Sequence, residues 1–399
     1  MKYENLLIEA ENIKLEVIRL RRSFHMQPEL SMEEVRTVEI VEKILKSLGI
    51  KTKRVAGTGL VGLLEGNGPG KTVALRADMD ALPLEDQKDV EYASQVSGKM
   101  HACGHDAHTA SLLGAAMLLS KYKEHFSGNV KFLFQPAEEN IGGALPMIKE
   151  GVMEDPKVDA VFGLHVAPEI ESGKIGVHHG KFYAACDSID VVIQGKECHG
   201  ATPHNGIDAI VVGSQVVSAL QSFVSRNVNP LDSVVVTIGK ISGGHQRNII
   251  ADKLELSGTI RTLSPETREE ARVRLPKLIQ GVAESFGAQA EVQYILGLPC
   301  LINDNAMTDF VIQSATELLG KENVIEVKDA NLGGEDFAYF LQEVPGSFYQ
   351  LGVGNEIKGI IHPLHTCLFD IDEDALVIAV AMHAKIALDF LTNKTAEKK

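Results

Sequence analysis

The sequence has no cysteine framework. Its five thiols, at positions 103, 186, 198, 300 and 367, are odd in number and irregularly spaced. That excludes a disulfide-stapled scaffold and fits free thiols in a reducing compartment. A basic face is also missing: 39 Lys and Arg stand against 54 Asp and Glu, a formal charge of −15. Neither nucleic acid nor an anionic membrane attracts such a chain. The acidity is spread along the chain and reads as solubility. No apolar run reaches the length of a membrane span, and residues 1–16 carry no signal-like apolar region. Low-complexity tracts and short-period repeats are lacking, and no Gly-rich phosphate loop follows a strand, which disfavours nucleotide binding. The expectation is a soluble, cytoplasmic protein.

The rest of the composition is ordinary. Of 399 residues, 44% are hydrophobic and 23% charged, enough for two domains with a core each. One stretch stands out. Between His101 and His108 lie three imidazoles and one thiol (His101, Cys103, His105, His108), and an apolar helical run, Ala110 to Leu119, follows. Cys and His are the side chains that borderline divalent metals prefer.

The chain around this cluster alternates strands and helices. The spacing predicts a helix from about Tyr3 to Phe24. It predicts a second after Ser31, where Glu34 completes a capping box and Gly49 ends the helix. Apolar runs at 60–64, 72–76, 129–135 and 159–164 read as strands. Three of them run into Asp78 and Asp80, into Glu138 and Glu139, and into His165. In open α/β sheets ligands gather beyond the carboxyl ends of strands. From 188 to 296 the order becomes β-α-β-β-α-β, a ferredoxin-like unit inserted into the first domain. A helix over 305–319, a strand over 347–352 and a helix over 372–391 then resume the α/β pattern.

Cys103 and His105 form the nucleus of a metal site, to which Glu139 and His165 are natural additions. Either His362 or His365 would complete it. Side chains of neighbouring residues in an extended segment diverge, so one of Glu138 and Glu139 would bind metal and the other reach the attacking water as a general base. Asp80 reads as a carboxylate that orients a ligating imidazole. His199, beside Gly200 in the inserted unit, could donate to a developing oxyanion. Asn248 and Arg261 are candidate contacts for a substrate carboxylate or amide.

Several stretches together resemble one family. They are Arg76 to Pro83, Met100 to His108, Gln135 to Glu139, Gly163 to His165, Gly333 to Phe337 and His365 to Glu373. The chain resembles the metallopeptidase family of aminoacylases, dipeptidases and glutamate carboxypeptidases. The nearer match is its amidohydrolase branch, which includes N-acyl-amino-acid deacylases, hippurate hydrolase and auxin-conjugate hydrolases. The resemblance implies a zinc-peptidase-like, three-layer α/β catalytic domain formed by residues 1–186 and 299–399. It also implies a ferredoxin-like lid, 187–298, that joins subunits into a homo-oligomer. It implies two divalent ions, manganese or zinc, held by Cys103, His105, Glu139, His165 and His365, with Glu138 as general base. His199 matches a lid histidine that holds the substrate carbonyl, and Asn248 and Arg261 match lid positions near substrate. The chain departs from the family at Cys198, where glycine is usual, and at Cys367, where proline is usual. The implied activity is hydrolysis of the amide of an N-acyl amino acid. The alternatives are a dipeptidase or carboxypeptidase of the same family, or a non-catalytic metal-binding module.

Overall fold

The computed structural model describes residues 5–140 and 142–392. The chain divides into two compact units. The first comprises residues 1–180, 303–328 and 339–399; the second comprises 181–302 and 329–338. The 329–338 segment was expected with the first domain. It clusters with the second because the Ala184 N–H donates to the carbonyls of Asn331 and Gly333, and the Asn331 N–H to that of Phe182.

The first unit is built on a mixed eight-stranded sheet. Its strands run Lys51–Val55, Gly59–Glu65, Asn129–Gln135, Thr72–Asp78, Ala160–Glu171, Gly346–Gly354, Ile175–Val177 and Val324–Glu326 across the sheet. The three central pairings are parallel. Every residue of Thr72–Asp78 is buried, which a run of Val, Ala and Leu permits and a parallel central strand requires. The helix His105–Tyr122 packs on this sheet and against Ala375–Thr392 and Lys14–His25. Both of the longer helices are apolar on nearly all sides, the pattern of a helix covered all round. Ala375–Thr392 is apolar enough by composition to cross a membrane, with mean hydropathy 1.7, contrary to expectation; 78% of it is buried in the protein.

Two expected elements differ. The first helix is split into Leu6–Asn12 and Lys14–His25 at Ile13, and Tyr3 lies outside the described residues. The Ser31–Glu34 capping box does not cap. The helix begins at Val35, and the Glu29 carboxylate instead accepts the Arg36 and Thr37 N–H groups at 2.9 and 2.8 Å.

The second unit is a four-stranded antiparallel sheet in the order Val234–Gly243, Lys253–Thr262, Ala185–Gln194, Gln289–Leu298. The helices Ala209–Ser222 and Pro265–Ser285 pack on it. Burial alternates along Ala185–Gln194, so one face of the sheet meets the helices over a core that includes Ile189, Val212, Leu256 and Leu275. The connectivity is the expected β-α-β-β-α-β. Both helices have side-chain caps, Asp208 accepting from Ile210 and Val211 N–H, and Ser264 from Thr267 N–H with Pro265 at the first helical position.

Candidate metal centre

Backbone turns bring the ligand candidates together. Gly104 precedes the helix His105–Tyr122 with φ +84, and a Cβ there would lie 2.4 Å from Val166 Cγ2. Only glycine fits this left-handed, crowded position. It lets Cys103 and His105, on either side, turn toward one point. His365 also has positive φ, +60, and its N–H donates to the Ala102 carbonyl at 2.8 Å. That bond ties the far end of the chain to the Cys103 loop. Glu138 and Glu139 follow Ala137, whose φ is +51. His165 lies inside the strand Ala160–Glu171 and not past its end, since the pairing with Gly346–Gly354 continues to either side of it.

The donor atoms form two groups that share the thiol. Cys103 Sγ lies 3.4 Å from His165 Nε2 and 3.3 Å from His365 Nε2. His365 Nε2 lies 3.3 Å from Glu139 Oε1. One potential ligand cluster is Cys103, His105 and His165; a second is Cys103, Glu139 and His365. The Glu138 carboxylate joins His105 and Glu139 in a further group whose donor atoms lie within 4.8 Å of one another. Cys103 and His105 are buried, while the His365 side chain is 53% exposed. One side of the centre is therefore open within this unit.

Hydrogen bonds settle which imidazole nitrogen is offered. His165 Nδ1 donates to the Val166 carbonyl at 2.8 Å, and His105 Nδ1 to Asp80 Oδ1 at 3.2 Å. Both rings thus present a bare Nε2, the arrangement that carboxylate and carbonyl partners impose on metal-binding histidines. His105 Nε2 is buried with no hydrogen-bond partner, an arrangement that costs free energy unless a cation sits there. The mixed thiolate, imidazole and carboxylate set fits a zinc- or manganese-like ion. His108 is different. Its Nδ1 donates to Asp78 at 2.6 Å and its Nε2 accepts the Val166 N–H at 2.9 Å, so both nitrogens are committed.

Asp80 ties these parts together. It accepts from Ser31 Oγ at 2.6 Å, from His105 Nδ1, and from the N–H groups of Glu138 and Glu139 at 3.1 Å each. Glu34 does related work, its carboxylate accepting the Ala137 N–H at 2.8 Å and the Thr58 hydroxyl at 2.5 Å. The two residues of the expected capping box therefore brace the Ala137–Glu139 segment, Ser31 through Asp80 and Glu34 directly. Asp78 is paired with the buried Arg76 at 2.7 Å. Burial alone would raise Asp78, but the Arg76 guanidinium and the hydrogen bond from His108 hold it well below the usual carboxylate range. Burial likewise opposes Asp80 and is outweighed by His105 and Ser31, so it too stays ionised. Burial pushes the Cys103 thiol well up, and a divalent cation beside it would reverse that.

The remaining candidates are placed as follows. Among the described residues His362 and His101 belong to no ligand cluster. His101 is fully buried, and burial holds it down at about 3. His199, Asn248 and Arg261 all lie in the second unit. There His199 pairs with Ile249 across a two-residue ladder, the Gly200 N–H donates to the Asn248 carbonyl at 2.8 Å, and the Arg261 guanidinium contacts Cys186 Sγ.

Residues 74–389 match the family model of peptidase family M20/M25/M40. The chain belongs to this family. An N-acetyl-L-cysteine deacetylase of Bacillus subtilis is 41% identical over 380 residues, covering 95% of this chain and 89% of that protein. Thermostable carboxypeptidase 2 of Saccharolobus solfataricus is 41% identical over 392 residues, covering 97% and 98%. The solved YXEP protein of Bacillus subtilis, described as a dinuclear metal-binding peptidase of the M20 family, superposes with a TM-score of 0.85 at 34% identity, covering 96% and 99%. The M20 chain described here is thus a hydrolase acting on amide bonds, with a mixed α/β fold and a site built to bind metal.

Proposed function

We propose that this M20 hydrolase removes the acyl group from N-acyl amino acids, using two divalent ions, manganese or zinc, held by Cys103, His105, Glu139, His165 and His365. The observation that supports it is the pair of ligand clusters sharing Cys103, with a second carboxylate, Glu138, beside them. When bound, such ions supply Lewis acidity at the scissile carbonyl and make water acidic enough to deprotonate near neutral pH. Glu138 is then the base that takes the water proton and delivers it to the departing amine. Asp80 holds the Glu138 and Glu139 amides and the His105 ring fixed while this happens. His199 would donate to the carbonyl oxygen as negative charge develops there. Its Nδ1 accepts the Ala201 N–H at 3.1 Å, which leaves the proton on Nε2 for that role. Arg261 and Asn248 would hold the carboxylate of the amino acid.

The ten-residue strand Val234–Gly243 ends the second unit's sheet with an open edge, which supports pairing between copies of the chain. The test of the activity is Glu138→Gln assayed on acetyl- and benzoyl-amino acids. We expect turnover to fall roughly 10²–10⁴-fold with metal content unchanged; near-normal turnover would overturn the assignment of the base. The carboxypeptidase reading is kept by the Saccharolobus relative. Faster cleavage of dipeptides or unblocked peptides than of N-acyl amino acids would favour it.

A further inference from the structure

Behind the metal centre lies a buried network of charges that the hydrolytic scheme does not use. At its middle is Arg21, on the helix Lys14–His25, with no exposed surface. Its Nε lies 2.8 Å from Asp106 Oδ2, an ion pair between two fully buried side chains. Its terminal nitrogens reach Asp370 Oδ1 at 2.9 Å and Glu373 Oε1 at 3.3 Å. Tyr92 stacks on the guanidinium, 4.9 Å away, and its hydroxyl donates to Asp370 Oδ2 at 2.6 Å.

A second strand of the network runs alongside. His25 Nδ1 meets Asp106 Oδ2 at 2.7 Å, and His25 Nε2 lies 3.2 Å from Asp86 and 3.0 Å from Lys88 Nζ. Lys88 Nζ donates to the Phe369 carbonyl at 2.8 Å, and the Gln87 N–H to that of Cys367 at 3.0 Å.

The sequence positions of these partners give the network its meaning. Asp106 immediately follows His105. Asp370 and the two carbonyls lie on the segment that carries His365. Both of the clusters that share the thiol contain Cys103, and only one of them contains His365. A buried guanidinium in contact with carboxylates on two separate segments ties those segments together, Asp106 through an ion pair and Asp370 through a hydrogen bond. Burying the Arg21 charge costs free energy, which pairing with Asp106, Asp370 and Glu373 offsets.

We infer that Arg21 is a positioning residue that clamps the His365 segment to the Cys103–His105 turn, and so sets the affinity of the His365-containing metal site selectively. This rests on the two-ion reading above. The test is calorimetric titration of Mn²⁺, and absorbance titration of Co²⁺ through its thiolate charge-transfer band, into metal-free protein. Wild type, Arg21→Lys, Asp370→Asn and His365→Ala are compared, each first shown to be folded by circular dichroism.

In the wild type two ions are expected. In Arg21→Lys and Asp370→Asn the weaker second event should lose 10–100-fold in affinity and approach the behaviour of His365→Ala, while the first stays within about threefold. Asp370→Asn keeps the shape of the network and carries the test if Arg21→Lys does not fold. Unchanged affinity at both sites, or an equal loss at both, would overturn the inference, the latter because it would mark general loosening. A wild type that binds no metal would instead remove the two-ion reading itself.

Discussion

Gly104, Asp80 and Asp374 each show what a single side chain, or its absence, contributes. At Gly104 a methyl group would meet Val166 at 2.4 Å in a backbone conformation that L-residues avoid. Gly104→Ala is expected to cost about 2–5 kcal/mol, combining left-handed strain with overpacking; a change under about 0.5 kcal/mol in chemical denaturation would show that the turn relaxes easily. The groups hydrogen-bonded to the Asp80 carboxylate are all donors, so Asp80→Asn turns an amide N–H₂ toward some of them. Metal affinity should drop roughly 10–100-fold, measured by the same titrations. Asp374 lies on the surface. Hydrogen bonds from Lys14 and Lys358 pull it down to about 2 from 3.8. A depressed carboxylate stabilises the fold above its unfolded pKa, and the contribution disappears as pH falls through about 2. Its side chain is 57% exposed, so screening reduces the gain to about 0.5 kcal/mol. Asp374→Asn should cost that much at pH 7 and nothing near pH 2 in urea melts; an equal cost at both would assign it to packing.

Among the elements, the helix His105–Tyr122 carries both chemistry and core. Its first residue is a ligand candidate, and Leu112, Leu113, Leu118 and Leu119 are fully buried. Leu118→Ala should destabilise by about 2–5 kcal/mol in denaturant titration, within the usual range for a leucine cavity. This helix was readable because its apolar run is long and follows a dense polar cluster. The capping box was not. Ser31 and Glu34 have the spacing of a local motif, but their partners, Asp80 and the Ala137 amide, lie far along the chain. The network of Arg21 and Asp106 was hidden for the same reason: sequence periodicity reports burial of apolar faces and says nothing of ion pairs between distant segments. His365 could be preferred over His362 only through a resemblance, until its contact with Cys103 was in view.

On the scale of the whole molecule, the order of strands and helices told the fold class because an inserted β-α-β-β-α-β run differs so clearly from the alternation on either side. The exception was the return of residues 329–338 to the second unit, which depends on main-chain bonds to Phe182 and Ala184 that no side-chain pattern encodes. The two units have separate cores. Ligand candidates from Cys103 to His365 all belong to the first. Removing metal with a chelator should therefore lower the melting of the first core and leave the second unaltered. A free ion at a hundred times its Kd stabilises by about 2.7 kcal/mol. Calorimetry that shows both cores shifting together would mean they unfold as one.

His365 meets Cys103 across 262 residues of sequence. At roughly 5–20 residues per second, a ribosome needs on the order of tens of seconds to travel between them. Once His165 has been made, the nascent chain carries Cys103, His105 and His165 for the rest of that interval without the residue that closes the centre. A truncated product would lack the cluster of Cys103, Glu139 and His365. Completion of the centre thus waits until synthesis has passed the inserted unit.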